Sequence, residues 1–552
     1  MTSEPNLKAV NKTKEEPTVR TLLKWALWVY LALFGIIYPF YYEDKYYNMG
    51  DAKWNFYKVI TFYVRIGNVL LPGVLVLVLI FAVCYLAWLW GRGELQAQIS
   101  WSKLSVLDKW ILAYMIVVTI SMILTPHKEH VLWGFSGWYM GYLTQLSFFF
   151  LYVLVSRFWS GSRLLVILSM AAAGIVFFLA ALNRFYIDPL NIHDGDFENT
   201  HNFVSTLGNI TWYGCFLIVM LAVGIYFFWA AEKKWIRVVT AFYVTIGCMS
   251  AVTTGADSVF AGLAAIFSAL FYFSCTDRKR FQNFWLTLTV CLASFKFIGI
   301  LQQAFPGHAV PLGEVATFLS QSIWTWIFLA AFLLIWILTI RFESALSLRT
   351  IGRLRRGFFI ALFLGIFLFI LYLVLNTKGL LPESLRKDHI YLRWNDYWGD
   401  WRGGNWTMSI LSFFRTLRDD PRAFLFGAGP DNFCYTIYTY FYDRVRRLAA
   451  GASGNAEAVL TCAHNEWLCA FINSGLLGGL AYLGFFISAL KRFGSRVQRS
   501  PELTAAALAV VAYFTFDFFC YQQIISTPLI FIIIGIGEHI VRRDEKAEIV
   551  EN

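Results

Sequence analysis

The sequence predicts an all-α, polytopic integral membrane protein, and three observations carry that prediction. Of 552 residues, 58% are hydrophobic and only 15% are charged, with a mean hydropathy of +0.57. Such a composition belongs to a membrane body and not to a string of soluble domains. The apolar residues form runs about 20 long, the length a helix needs to cross a hydrocarbon core of roughly 30 Å. Between the runs, Lys and Arg gather in alternate connections, the asymmetry that orients spans in a membrane.

Runs of spanning length lie near 22–40, 66–90, 107–124, 139–158, 164–182, 210–230, 236–253, 257–275, 283–300, 321–340, 357–376, 462–490, 503–520 and 524–540. They predict about fourteen transmembrane helices, because backbone in lipid must satisfy itself within a helix or a closed barrel. With the N-terminus inside, the inner connections hold Arg157 and Arg163, Lys233-Lys234 with Arg237, Arg278-Lys279-Arg280, the run Arg349 to Arg356, Lys491-Arg492 with Arg496, and Arg542-Arg543. The opposite connections are poor in cations, apart from one long polar stretch. The expected organisation is therefore a cytoplasmic tail 1–21, a transmembrane body 22–376 of about eleven spans, a large extracytoplasmic loop 377–461, C-terminal spans 462–541 and a cytoplasmic tail 542–552. Lys8, Lys12, Lys14, Arg20 and Lys24 precede an apolar run without an Ala-x-Ala site, which reads as an uncleaved first span of a multi-pass cell-membrane protein.

Several function classes fall away. The net charge of +11 sits in short clusters between apolar runs, a topological signal that implies membrane lipids as partners and no nucleic acid. Nine cysteines include no C-x-x-C pair, and Cys84, Cys215, Cys248, Cys291 and Cys520 lie in or beside apolar runs, where cysteine behaves as a small hydrophobe. The pairs Asp396/Asp400 and Asp419-Asp420 offer fewer converging oxygens than a divalent cation takes, and Glu43-Asp44 is a weak acidic motif. Neither a metal nor a cofactor is expected. Three further outer loops, 41–57, 183–209 and 301–320, are longer than a turn requires. They read as a rim around a site, or as interfacial loops in which Tyr41, Tyr42, Tyr46, Tyr47 and Trp54 form an aromatic belt.

Chemistry is expected between Arg402 and Gly478, the one long polar interval. Trp406, Ile410, Phe413, Phe414 and Leu417 recur at three- and four-residue spacing, which predicts an amphipathic helix with Arg402 and Trp406 on one face. Asp419-Asp420-Pro421 ends it. Gly427-Ala428-Gly429-Pro430 is a turn that lets backbone approach something closely. Thr461 is placed to cap the re-entering helix, which puts His464 in the first turn, where the positive end of the helix dipole favours neutral imidazole. A neutral imidazole accepts a proton, the property of a general base. Arg402, with Arg393, Arg415, Arg418 and Arg422, supplies guanidinium forks suited to a diphosphate.

The ordered set Arg402 to Trp406, Gly427 to Phe433, His464-Asn465-Glu466-Trp467-Leu468 and Gly475-Leu476-Leu477-Gly478 resembles the O-antigen ligase and polymerase superfamily of bacterial membrane glycosyltransferases. An upstream echo, Ser205 to Asn209 leading into Tyr213-Gly214, looks like that superfamily's Gly-Asn turn before a span. The resemblance implies a GT-C-like membrane architecture and transfer of a glycan from a polyprenyl-diphosphate-linked oligosaccharide, such as one on undecaprenyl diphosphate, to a glycan, lipid or protein acceptor. It implies catalytic roles for His464, Arg402 and Glu466, and substrate contacts from Arg393, Asn465, Trp406, Gly427, Gly429 and Asn432. The chain departs from the pattern at Thr254-Gly255-Ala256-Asp257-Ser258, where an acid stands in place of an expected arginine. A multispan secondary transporter and a non-catalytic polysaccharide-export partner are the rival readings.

Overall fold

The structure is a computed structural model that describes residues 17–46, 49–98, 100–399, 401–453 and 459–551. Lys8, Lys12, Lys14, Tyr47 and Asp400 lie outside the described residues. In chain order the helices are α1 (Thr18–Ala32), α2 (Met49–Thr61), α3 (Val74–Gly91), α4 (Leu95–Gln98), α5 (Val106–Leu124), α6 (Tyr142–Phe158) and α7 (Arg163–Asn183). There follow α8 (Phe197–Thr200), α9 (Ile210–Ala230), α10 (Lys234–Thr253), α11 (Ser258–Ser274), α12 (Arg278–Ala304), α13 (Glu314–Gln321), α14 (Ile323–Arg341) and α15 (Leu348–Thr377). The last six are α16 (Arg402–Asp419), α17 (Pro421–Phe426), α18 (Phe433–Ser453), α19 (Glu466–Gly494), α20 (Leu503–Phe516) and α21 (Thr527–Glu551).

A helix occupies every expected span. Among the described residues ten, counting α1 with its continuation to Phe40, are long and apolar enough to cross a membrane. The others expected to span are the shorter apolar α6, α11 and α20 and the α21 helix, which runs from an apolar start into charged residues. The chain is a multi-pass, all-α membrane protein. Two expected spans differ. The one expected over 66–90 begins at Val74, because strands β1 (Tyr63–Ile66) and β2 (Val69–Pro72) pair as an antiparallel hairpin around Gly67, whose φ of 59° suits a tight turn. The one expected over 503–520 stops at Phe516, and the residues after it turn back into the protein.

Local chemistry sets the helix starts. Ser105 and Asp108 form a reciprocal capping box on α5, and Asn209 and Asp277 accept from the first-turn amides of α9 and α12. Lys53, fully buried in α2, donates to the carbonyls of Tyr38 (2.8 Å), Pro39 (3.2 Å) and Tyr41 (2.6 Å). Those carbonyls end the first span, so one ammonium satisfies groups that a helix terminus leaves open. Burial pulls the Lys53 pKa well below its ordinary value.

The helix α9 is the axis of the bundle, with 83% of its spanning window buried, packed by α10, α12 and α20. The helix α19 packs on α5, α17 and α20, and α21 on α6. At the other extreme 0% of the window of α15 and 11% of that of α14 are buried. Such broad apolar surface is stable only where lipid covers it.

The connections sort onto two faces. On one, Tyr46 N–H donates to Ile192 O (3.3 Å), Val310 N–H to Arg184 O (2.9 Å), His389 pairs with Glu314 (2.7 Å) and the Tyr391 hydroxyl donates to Asp257 (2.9 Å). The stretches 41–57, 183–209, 301–320 and 377–401 thus lie together, as a rim requires. On the opposite face the basic clusters meet acids. Arg492 pairs with Glu538 (2.7 Å) and Glu545 (3.0 Å), Arg499 with Glu548 (2.8 Å), and Arg542 with Glu538 (3.0 Å) and Asp108. The residues that signal topology in the sequence also fasten α19 to α21.

Candidate active site

The site is organised by a break in α19. Gly475 has φ 69° within the helix, so the carbonyls just before it lose their helical partners. The turn that carries Gly427 and Gly429 supplies replacements: Ala428 N–H donates to Ile472 O (2.9 Å) and Gly429 N–H to Asn473 O (3.0 Å). The Ser121 hydroxyl of α5 adds a bond to Asn473 O (2.9 Å). Gly427 and Gly429 have φ 87° and 112°, and a Cβ on Gly427 would sit 2.3 Å from Asn473 O. The close approach read from this turn is therefore made to the α19 backbone. Asn432, fully buried, donates through Nδ2 to His127 O (2.9 Å), Thr125 Oγ1 (3.1 Å) and Ala428 O (3.1 Å) and holds the turn in shape.

Asn465, and not Thr461, caps α19: its Oδ1 accepts from Leu468 N–H (3.1 Å). Thr461 instead accepts from the indole N–H of Trp138. His464 consequently lies just before the helix with φ 48°, a backbone conformation uncommon outside glycine and asparagine. Its half-buried ring is gripped edge-on by Trp401 (centroids 4.5 Å) and Tyr521 (4.8 Å). Trp401, the residue before α16, is itself left-handed (φ 61°). Burial, and after it the positive charge of Arg402, push the His464 pKa from 6.5 down to about 3. The imidazole is neutral at physiological pH, as the sequence predicts, and the adjoining helix N-terminus favours the same state.

Arg402 opens α16 and reaches the same place. Its guanidinium donates to Gly399 O (2.7 Å) and Phe519 O (3.5 Å). Asn405, one turn on, donates to Cys462 O (3.2 Å), which fixes α16 against the residues that lead into His464. Sixty-two positions separate Arg402 from His464 in the chain, and the fold brings them together.

The wall opposite α16 is the loop after α20, whose residues 517–520 the sequence reading takes as the end of a span and 524–526 as the start of the next. Glu466 N–H donates to Asp517 O (2.8 Å), Gln522 N–H donates to Glu466 Oε2 (2.8 Å), and Trp212 of α9 donates to the Tyr521 hydroxyl (2.7 Å). The bond given by Glu466 therefore fastens the loop that carries Tyr521. Asp517 terminates α20 and Asp257 precedes α11, so both stand at helix ends. Beside Glu466 is a cavity of about 40 Å³ lined by Asp431, Gln145, Gln522 and Asn473, room for about three or four waters at roughly 10–15 Å³ each. Asp431 accepts from Phe135 N–H (2.6 Å), and burial raises its carboxyl to about 7.

The remaining expected residues stand apart. Arg393 is exposed and paired with Asp388 (3.0 Å), Arg422 with Asp420 (3.5 Å), and Arg415 covers the Phe441 ring (4.6 Å). The cationic group expected around Arg402 is thus divided among local partners. Asp396 binds Arg444. Trp406 packs among Trp398 (5.4 Å), Trp394 (6.0 Å) and Phe519 (5.9 Å), a hydrophobic wall of the site. At the departure from the family pattern, the buried Arg184 guanidinium lies 3.2 Å from where a Gly255 Cβ would be. Of metal-ligating groups, Cys215, Asp517 and Cys520 have donor atoms within 4.8 Å of one another, all buried, a grouping that reading these cysteines as apolar filler passes over. Comparison with known protein families and with characterised proteins finds no match for the chain.

The break in α19 makes a direct prediction. In Gly475→Ala the new Cβ meets the Leu425 carbonyl at 2.4 Å, and the backbone at φ 69°, ψ −174°, open essentially to glycine alone, costs roughly 1–3 kcal/mol. Thermal unfolding of the purified protein should occur at lower temperature in this variant than in Gly365→Ala, where nothing lies within 4 Å of the added Cβ.

Proposed function

We propose that the chain is a membrane glycosyltransferase of the O-antigen ligase or polymerase type. It moves a glycan from a polyprenyl-diphosphate-linked oligosaccharide to an acceptor hydroxyl at the outer face of the cytoplasmic membrane. The observation that carries the reading is the meeting of Arg402 with a neutral, aromatic-gripped His464 beneath a rim of loops. The acceptor oxygen attacks the anomeric carbon and gives its proton to the imidazole, while the bond from that carbon to the diphosphate oxygen breaks. The electron pair leaves with the lipid diphosphate, and Arg402 stabilises its charge. A single displacement of this kind inverts the anomeric centre. Glu466 serves by holding Tyr521 against the imidazole.

In this orientation both termini and the basic connections are cytoplasmic. Reporter fusions should place residue 440 outside and residues 280, 350 and 545 inside. A cytoplasmic signal at 440 overturns the reading, because donor and acceptor would then meet on the wrong face.

Base strength is linked to donor binding. Arg402 is one of the two causes that hold the imidazole down, so a diphosphate that neutralises it raises the His464 pKa and makes the ring a better base. Protonation abolishes base function. The free enzyme, with His464 near 3, should therefore show no acidic limb in kcat/KM between about pH 5 and 7, and the limb in kcat should lie at higher pH than that in kcat/KM. His464→Asn, which tolerates the left-handed backbone, should lower turnover by roughly 10²–10⁴-fold with donor affinity retained. Chelator should leave the wild-type rate unchanged. Wild-type turnover in His464→Asn, or chelator-sensitive activity restored by magnesium or manganese, rejects the mechanism.

Arg402→Lys keeps the charge and loses the planar fork. Transfer from purified donor should fall by an amount on the order of 2–4 kcal/mol in transition-state stabilisation, measured at equal protein level and equal thermal stability.

A further inference from the structure

At the end of the bundle away from His464, a groove of about 480 Å³ runs between α11, α15, α19 and α20. Its walls are Ala269, Phe273, Phe359, Leu490 and Val511, with Tyr272 half exposed at its edge. This volume is in the range of sites that hold lipid- or drug-sized ligands, roughly 300–1,000 Å³. Lys491 stands in the lining, and the Arg355 guanidinium lies 4.9 Å from the Tyr272 ring centroid. The groove is therefore apolar along its length and cationic at its mouth.

The cations there are not structural. Arg492 in α19, and Arg496 and Arg499 just after it, are all ion-paired to α21. Neither Lys491 nor Arg355 has an acidic partner among the described residues, and the neighbouring Arg353 and Arg356 of α15 are exposed and likewise without one. Two positive charges, Lys491 and Arg355, thus stand at an apolar groove beside a helix, α15, none of whose spanning window is buried. Cations at the polar boundary with an apolar slot between helices are the complement of a phosphate headgroup with its acyl chain.

We propose that this groove is a binding site for an anionic phospholipid of the leaflet on that side, with the headgroup phosphate on Lys491 and Arg355 and an acyl chain between α15 and α20. In the orientation argued above, this is the cytoplasmic leaflet, where anionic lipids concentrate. The assignment depends on membrane embedding and is independent of the chemistry at His464. A lipid there fills the space between α15 and α19 and adds to the contact that Phe358 already makes with Phe271 of α11.

Native mass spectrometry of the delipidated full-length protein, titrated with phosphatidylglycerol or with phosphatidylcholine of the same acyl chains, tests it. The wild type should retain one phosphatidylglycerol in preference to phosphatidylcholine. Lys491→Ala with Arg355→Ala should weaken that adduct by roughly thirtyfold, the product of two cations near a membrane surface. Lys491→Arg should retain the adduct, and Val511→Trp, which fills the groove without touching a charge, should lose it. Equal retention of the two lipids by the wild type overturns the proposal. So does full retention of phosphatidylglycerol by the double variant, or displacement of the bound lipid by a polyprenyl phosphate and not by added phosphatidylglycerol.

Discussion

The arrangement around His464 depends on one interrupted helix. A membrane helix that loses backbone hydrogen bonds in its interior needs replacement donors, because hydrocarbon offers none. In α19 the loss occurs at Gly475, and the amides of Ala428 and Gly429 make it good. That requirement pulls the turn at 427–429 down onto α19 and brings α17 with it, since α17 ends where the turn begins. With α17 fixed, α16 lies along the same surface and delivers Arg402 and Trp401 to the start of α19. A defect in the ladder of one helix thereby positions a guanidinium carried on another.

The second constraint is polar. Residues 520–524 are buried and outside any helix, which is tolerated at such depth only when protein groups satisfy the backbone. Glu466 and Tyr38 bond this backbone and Arg402 that of Phe519 just before it, and Gln145 and Tyr482 hold the Gln522 side chain. These contacts fix Tyr521 in place, and Tyr521 with Trp401 holds the His464 ring. The larger cause of the low imidazole pKa is this enclosure, with the Arg402 charge adding to it.

Much of the fold was legible because lipid imposes a strong rule: every apolar run of the right length became a helix. The amphipathic pattern from Trp406 to Leu417 likewise gave α16 with its end at Asp419, where Pro421 follows. The errors arose where tertiary partners decide. Thr461 has the chemistry of a cap, yet the indole of Trp138 takes its hydroxyl and Asn465 closes the helix. Gly427 and Gly429 announced a close approach without saying to what. The loop after Phe516 was hidden in hydrophobicity, although Asp517 and the pair Gln522-Gln523 interrupt that run and were the visible sign of polar partners. Arg393 and its neighbours could not be sorted from Arg402 by type alone, since local acids claim most of them.

The loop that carries Tyr521 has a consequence for biosynthesis. A chain emerging from the ribosome inserts its spans in order, and Arg402 and His464 are in place well before residues 517–524 are made. Until α20 and α21 have entered the membrane, the imidazole lacks one of its two aromatic walls and Arg402 lacks the Phe519 carbonyl. The nascent protein therefore holds Arg402 and His464 in an unfinished cleft until the loop that carries Tyr521 closes it.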